Sequence, residues 1–208
     1  MARQTRQRIL DASLAMFNTQ GEPNVTTNHI ADELEISPGN LYYHFRNKDD
    51  IIEQLFARFE ERMDAALAAP EGRLPGLEDI WLQLHLVFEA IWDYRFLYRD
   101  LVDILSRNRR LRIRFARILK RADEQAHAVM RGLSQAGVMR ASAAELDAAA
   151  TNVLVISTFW LNYAAARGDK DEQKSIRDGI VQVMMLLAPF LRDAERVHLN
   201  TLTKAYLD

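Results

Sequence analysis

The 208-residue sequence predicts an all-α protein: a compact N-terminal unit of three helices, then a larger helical bundle. Three observations carry this. Apolar residues recur three and four positions apart along almost the whole chain, the period of a half-buried helix. β-Branched residues never alternate with polar ones over a useful length, so strand signals are scarce. Proline and glycine crowd into residues 69–76, APEGRLPG, with two of each in eight positions, and nearly vanish beyond it.

Each element has a local reason. Leu10, Leu14 and Phe17 form the apolar face of a first helix that stops at Gly21, a natural left-handed residue. Thr26 caps a second helix through its hydroxyl, with Ile30, Ala31 and Leu34 facing inward. Ser37 and Pro38 read as N-cap and first position of a very short third helix, ending near His44. Asn47 caps a fourth, which carries Asp49 and Asp50 where the helix dipole favours acids and runs to about residue 69. Beyond the linker the periodicity gives helices over 77–93, 95–106, 109–136, 143–167, 171–191 and a last one to about 206, some nine to ten in all. Residues 1–47 are thus expected as one domain and 48–208 as a second, the helix 48–69 connecting them.

Composition removes several function classes. A hydrophobic content of 49% with 27% charged residues is ordinary for a globular protein. The absence of cysteine excludes a disulfide framework, a thiolate metal site and a cysteine nucleophile, and suits a cytoplasmic location. The start, MARQTRQRIL, is positively charged but has no apolar stretch behind it, so it does not read as a signal peptide. Residues 148–166 carry no charge and approach a membrane span in length. Thr151, Asn152, Ser157, Thr158 and Asn162 interrupt them, which fits a buried helix and no membrane partner. No glycine-rich phosphate loop or G-x-S-x-G is present, and His85 and His127 lack H-x-x-x-H spacing, so neither enzyme, cofactor nor metal is expected.

The most telling stretch is SPGNLYYHF, residues 37–45. Two short helices with a tight turn, braced by a longer first helix, make a helix-turn-helix unit. Its second helix must be narrow to enter a major groove, which suits Pro38, Gly39 and Asn40. Leu41 and Phe45 hold that helix to the core, while Tyr42, Tyr43 and His44 point outward or sideways, since three consecutive helical residues cannot share one core face. Phenol and imidazole groups donate to phosphate oxygens. Bulk charge does not announce this: net charge is −2, and residues 1–50 hold five Lys/Arg against seven Asp/Glu.

Residues 25–51, VTTNHIADELEISPGNLYYHFRNKDDI, resemble the DNA-binding region of the TetR family of bacterial transcription regulators. Thr26, Ile30, Ala31, Leu41, Tyr42, His44, Phe45 and Lys48 match that family's pattern in order and spacing. The resemblance implies that Thr26, Thr27, Tyr42, His44 and Lys48 hold phosphates. It places Asn28, Ser37, Pro38, Gly39, Asn40 and Tyr43 nearest base edges, with Asn40 suited to adenine. Neither Asn28 nor the short helix supplies an arginine for guanine. The implied partners are a palindromic double-stranded DNA operator, a second copy of the chain and a small, largely apolar effector that releases a repressor.

In the bundle, the 143–167 helix is apolar nearly all round and must be covered on more than one side. Paired with 171–191, as the family pairs them, it places Val155, Ile156, Phe159, Ile180, Val183, Met184 and Leu187 at a dimer interface. Aromatics gather elsewhere in the bundle, and Trp81, His85, Phe88, Trp92, Met130, Phe159, Trp160 and Tyr163 are candidates for an effector pocket, with core packing as the competing role. The run 107–121 holds eight basic residues in fifteen and no acid; it reads as a solvated face salt-bridged to neighbouring helices. Two alternative functions remain: a helical small-molecule-binding protein with a non-functional helix-turn-helix, and a basic-helix protein on a membrane surface.

Overall fold

The structure, a computed structural model, describes residues 2–68, 73, 75–169 and 171–207. Among these it is all-helical. Eleven α-helices follow in order: α1 Ala2–Gln20, α2 Thr27–Glu33, α3 Pro38–His44, α4 Lys48–Ala66, α5 Leu77–Asp93, α6 Arg95–Arg99, α7 Leu101–Arg107, α8 Arg109–Gln135, α9 Ala143–Ala166, α10 Glu172–Leu187 and α11 Asp193–Leu207. Short 3-10 turns occupy Glu22–Asn24 and Ala188–Phe190, and a lone antiparallel bridge joins Met139 to Leu191. Most of the linker 69–76 lies outside the described residues.

The element ends follow local chemistry. Ser142 opens α9 with a capping box: its Oγ accepts from the Glu145 N–H while the Glu145 carboxylate accepts from Ser142. Gly137 takes φ 74° just beyond α8, where a side chain would be strained. Two expectations shift. The helix expected over 95–106 is two, broken at Asp100 with ψ near 19°. The one expected to reach 191 stops at Leu187, because Pro189 brings no N–H to continue it.

The chain divides into two compact units. Met1–Arg62 with Asp93–Arg114 forms the first; Met63–Trp92 with Phe115–Asp208 forms the second. The unit that carries the helix-turn-helix therefore extends beyond residues 1–47, taking in α4 as far as Arg62, both short helices α6 and α7, and the start of α8.

In the first unit, α2 packs on α1 and α3, and α6 on α1. Ile9, Phe17, Ile30, Leu41, Ile51, Leu55, Phe59 and Phe96 are fully buried. Each such side chain stabilises the fold by about 1.5–3 kcal/mol. Phe59 meets Tyr94 and Tyr98 at centroid distances of 5.7 and 5.8 Å. A polar seam fastens the α1 end to the α6 segment: Asn18 Nδ2 donates to the Asp93 carbonyl, its Oδ1 accepts from Phe96 N–H, and Arg99 donates to the Asn18 carbonyl. From the basic run, Arg110 and Arg114 pair with Glu53 and Glu60 of α4.

In the second unit, α9 and α10 form the main packed pair and α11 lies on α10. Gly179 of α10 leaves room for side chains from α5 and α9. A Cβ there would stand 2.6 Å from Phe88 Cε1 and 2.7 Å from Trp160 Cδ1. Ile180, Val183, Met184 and Leu187 are buried at 3% exposure or less. These four side chains, expected at a dimer interface, are already covered within a single chain. Arg121 pairs with Asp64 and Lys120 with Glu124, so the basic run is ion-paired here as well.

Candidate nucleic-acid interface

The interface is built from α2 and α3. Thr26 caps α2 through an oxygen that accepts from the His29 N–H at 3.2 Å, and His29 Nδ1 accepts in return from the Thr26 N–H. Histidine thus takes the place of the usual Glu or Gln in a capping box. Ser37 caps α3 by accepting from the Asn40 N–H at 3.2 Å, with Pro38 at the first helical position. The turn between the helices places Glu35 at φ 53°, a left-handed conformation that costs a non-glycine residue about 1–2 kcal/mol.

These local choices fix which side chains are free. Ile30, Ala31, Leu41 and Phe45 point into the core, and Phe45 also lies 4.9 Å under the Arg6 guanidinium. Asn28, Ser37, Pro38, Gly39 and Asn40 are exposed. Tyr43 is 79% and Tyr42 48% exposed, while His44 is half-buried with its ring edge-on to Tyr43. Tyr42 OH and Thr27 Oγ1 stand 3.0 Å apart, linking α3 to α2. A side chain at Gly39 would meet nothing nearer than Ser37 Oγ at 3.9 Å, so packing does not require glycine there.

Lys48 stands apart from the other predicted phosphate donors. Its ammonium donates to the carbonyls of Glu22 (2.9 Å) and Val25 (3.0 Å) and lies 2.8 Å from Glu22 Oε1. Glu22 and its second cation, Arg107, were not singled out in the sequence. Contacts spanning 26 and 85 positions leave no local pattern to read.

The eight candidate effector residues lie in different settings. Trp81 stacks on His85, whose Nδ1 lies 3.0 Å from Tyr206 OH and whose Nε2 is 3.3 Å from Glu89. Phe88 and Met130 are core; Trp160 is half-buried and donates to the Ser175 carbonyl; Trp92 is half-buried. Phe159 and Tyr163 are about half exposed, at 47% and 52%. A cleft of about 190 Å³ is lined by Ala65, Ala66, Ala68, Asp79, Leu82, Gln83, Leu86 and Val129, and by none of the eight. His127 sits between Asp123 and Asp147, and no metal-holding cluster occurs among the described residues.

With this geometry in place, comparison with known families decides the class. Residues 9–55 match the profile described as bacterial regulatory proteins, tetR family, and residues 58–199, more than half the chain, match that of a bacterial transcriptional repressor, TetR. The chain belongs to the TetR family of bacterial transcription regulators. Both profiles describe transcription regulators, not enzymes. A TetR-family transcriptional regulator from Marinobacter aquaeolei VT8 is 38% identical, with a TM-score of 0.88 over 97% of this chain and 98% of that one. The HTH-type regulator TtgW of Pseudomonas putida is 39% identical over 56 residues, 27% of this chain and 42% of its own length. This chain thus spans less than half the length of that curated relative. The fold is shared with SmeT in its triclosan complex, 22% identical with a TM-score of 0.61 over 92% of this chain and 94% of that one. No helix among the described residues is long and apolar enough to cross a membrane.

Proposed function

We propose that this TetR-family regulator is a repressor that binds a palindromic operator as a homodimer and is released by a small, largely apolar effector. The observation that carries DNA reading is the bare outer face of α3, where Pro38, Gly39 and Asn40 are exposed without a packing need for glycine. An α-helix of this width fits a major groove, and Asn40 offers the amide that pairs with adenine. Thr26, Thr27, Asn28, Tyr42, Tyr43 and His44 surround it as phosphate and base-edge partners.

Dimerisation is assigned to the outer face of α9. Val155, Phe159 and Tyr163, at i, i+4 and i+8, are each about half exposed, and Met185 of α10 is similarly open. A two-fold contact repeats each of these side chains, giving a continuous apolar seam. The effector is assigned to the second unit, where Trp81, His85 and Tyr206 cluster and the indole Nε1 of Trp81 is buried without a hydrogen-bond partner. That SmeT forms a complex with triclosan fits an apolar ligand for this fold.

Stoichiometry tests the reading. Sedimentation of the protein alone and with a duplex selected from a random pool should give a dimer in both, two chains on each duplex. A monomer on a non-repeated site would sink the palindrome.

A further inference from the structure

Glu22 is an acid buried to 0% exposure in the 3-10 turn just ahead of α2. Two cations from distant parts of the chain reach it. Lys48 Nζ lies 2.8 Å from Oε1, and Arg107 Nη2 lies 2.5 Å from Oε2. The backbone N–H of Glu22 also donates to Asp100 Oδ2 at 3.3 Å. A carboxylate buried this far is tolerated only while such partners hold it, because taking an unpaired charge out of water is strongly destabilising.

The ammonium of Lys48 is equally committed. It has three N–H groups. Two go to the carbonyls of Glu22 and Val25, and Glu22 Oε1 stands 2.8 Å from the same nitrogen as an ion-pair partner, without a hydrogen bond of its own. Those carbonyls bracket the turn, and the next residue after Val25 is Thr26, the cap of α2. Lys48 and Glu22 together therefore set the path by which the chain enters α2, and Arg107 ties the last turn of α7 to the same point. A phosphate oxygen would compete with these acceptors for the ammonium.

Accepting the DNA-binding reading, we infer that Glu22 is a positioning residue for DNA binding and that Lys48 acts through it. The Lys48–Glu22–Arg107 cluster fixes the turn that orients α2, and the ammonium makes no phosphate contact of its own. This departs from the role that the sequence pattern implies for Lys48. The two roles predict opposite behaviour in salt. A phosphate contact releases counterions, so removing it flattens the dependence of affinity on salt; a positioning contact lowers affinity at every salt concentration alike.

The test uses the full-length wild type, Lys48→Met, Glu22→Gln and the double variant. Binding is measured to a duplex of about 30 base pairs, selected by the wild type from a random pool, between about 50 and 200 mM salt. The expected result is that both single variants bind at least about tenfold more weakly with an unchanged log–log slope, and that the double variant is no worse than the weaker single, because the two residues act as one unit. Direct phosphate contact gives the reverse: Lys48→Met lowers the slope by about 0.9 per bound chain, and Glu22→Gln, which frees the ammonium, tightens binding. Either result overturns the inference. Should Glu22→Gln fail to fold by thermal melting, the slopes of Lys48→Met and Arg107→Gln decide it in the same way. A wild type that selects no duplex sinks the DNA-binding reading itself, and this inference with it.

Discussion

The Tyr42 phenol and the Thr27 hydroxyl stand 3.0 Å apart, joining the exposed sides of α3 and α2. Tyr42→Phe removes this bond without changing shape. Stability should fall by about 0.5–1.5 kcal/mol, the net value of one such bond. DNA binding should weaken similarly for every sequence, since a phosphate donor carries no base information. Melting curves and parallel titrations with specific and random duplexes check both parts; a changed sequence preference at constant affinity would move Tyr42 from phosphate to base.

Gly39 should separate stability from function. The site has room for a side chain, and glycine inside a helix costs about 0.8–1 kcal/mol relative to alanine. Gly39→Ala is therefore expected to melt higher and bind the operator more weakly, because the added methyl stands between the backbone of α3 and the groove floor. A variant that is more stable and binds as well as its parent shows that the helix does not approach DNA at this point.

How much of this was legible beforehand varies by residue. The caps of α2 and α3 and the inward set Ile30, Ala31, Leu41 and Phe45 were readable because each depends on neighbours within a turn or two. Leu34, expected inside, is only half-buried. The Glu22 cluster was not readable, since its partners Asp100 and Arg107 lie some 80 positions away. The α10 residues expected at an interface show a different limit. Hydrophobicity alone states that Val183 and Leu187 are covered, and cannot say whether the cover comes from the same chain or another.

That distinction can be tested directly. Phe159→Glu places a charge on the exposed stripe of α9, and its two-fold copy places a second one opposite. The variant should remain helical and sediment as a monomer. Val183→Arg, in the monomer core, should instead lose cooperative melting, as a buried unpaired charge requires. A folded, dimeric Phe159→Glu moves the seam away from this stripe.

Asp100 gives a pH signature. Burial pushes its carboxyl above the usual range, opposed by the Glu22 N–H and Arg99 and reinforced by the charges of Glu22 and Asp103. The folded-state value lies above the unfolded one, so ionisation opposes folding. That penalty is absent below the unfolded value, near about pH 3.9, and complete once pH exceeds the raised folded value. Asp100→Asn keeps an acceptor for the Glu22 N–H and should melt higher than the parent at neutral pH, the margin closing in acid. A margin that grows in acid would reverse the sign of the shift.

The central claim is that α3 reads bases from a dimer, with Asn40 as a direct reader. Selection from a random duplex pool, run in parallel on the wild type and Asn40→Ala and read by sequencing, tests it most directly. The account predicts an inverted repeat for the wild type, with one adenine-containing base pair in each half-site losing its preference in the variant, worth about 1–3 kcal/mol at that position. Identical inverted repeats from both proteins would remove Asn40 as a reader, and a wild-type site without two-fold symmetry would contradict the account as a whole.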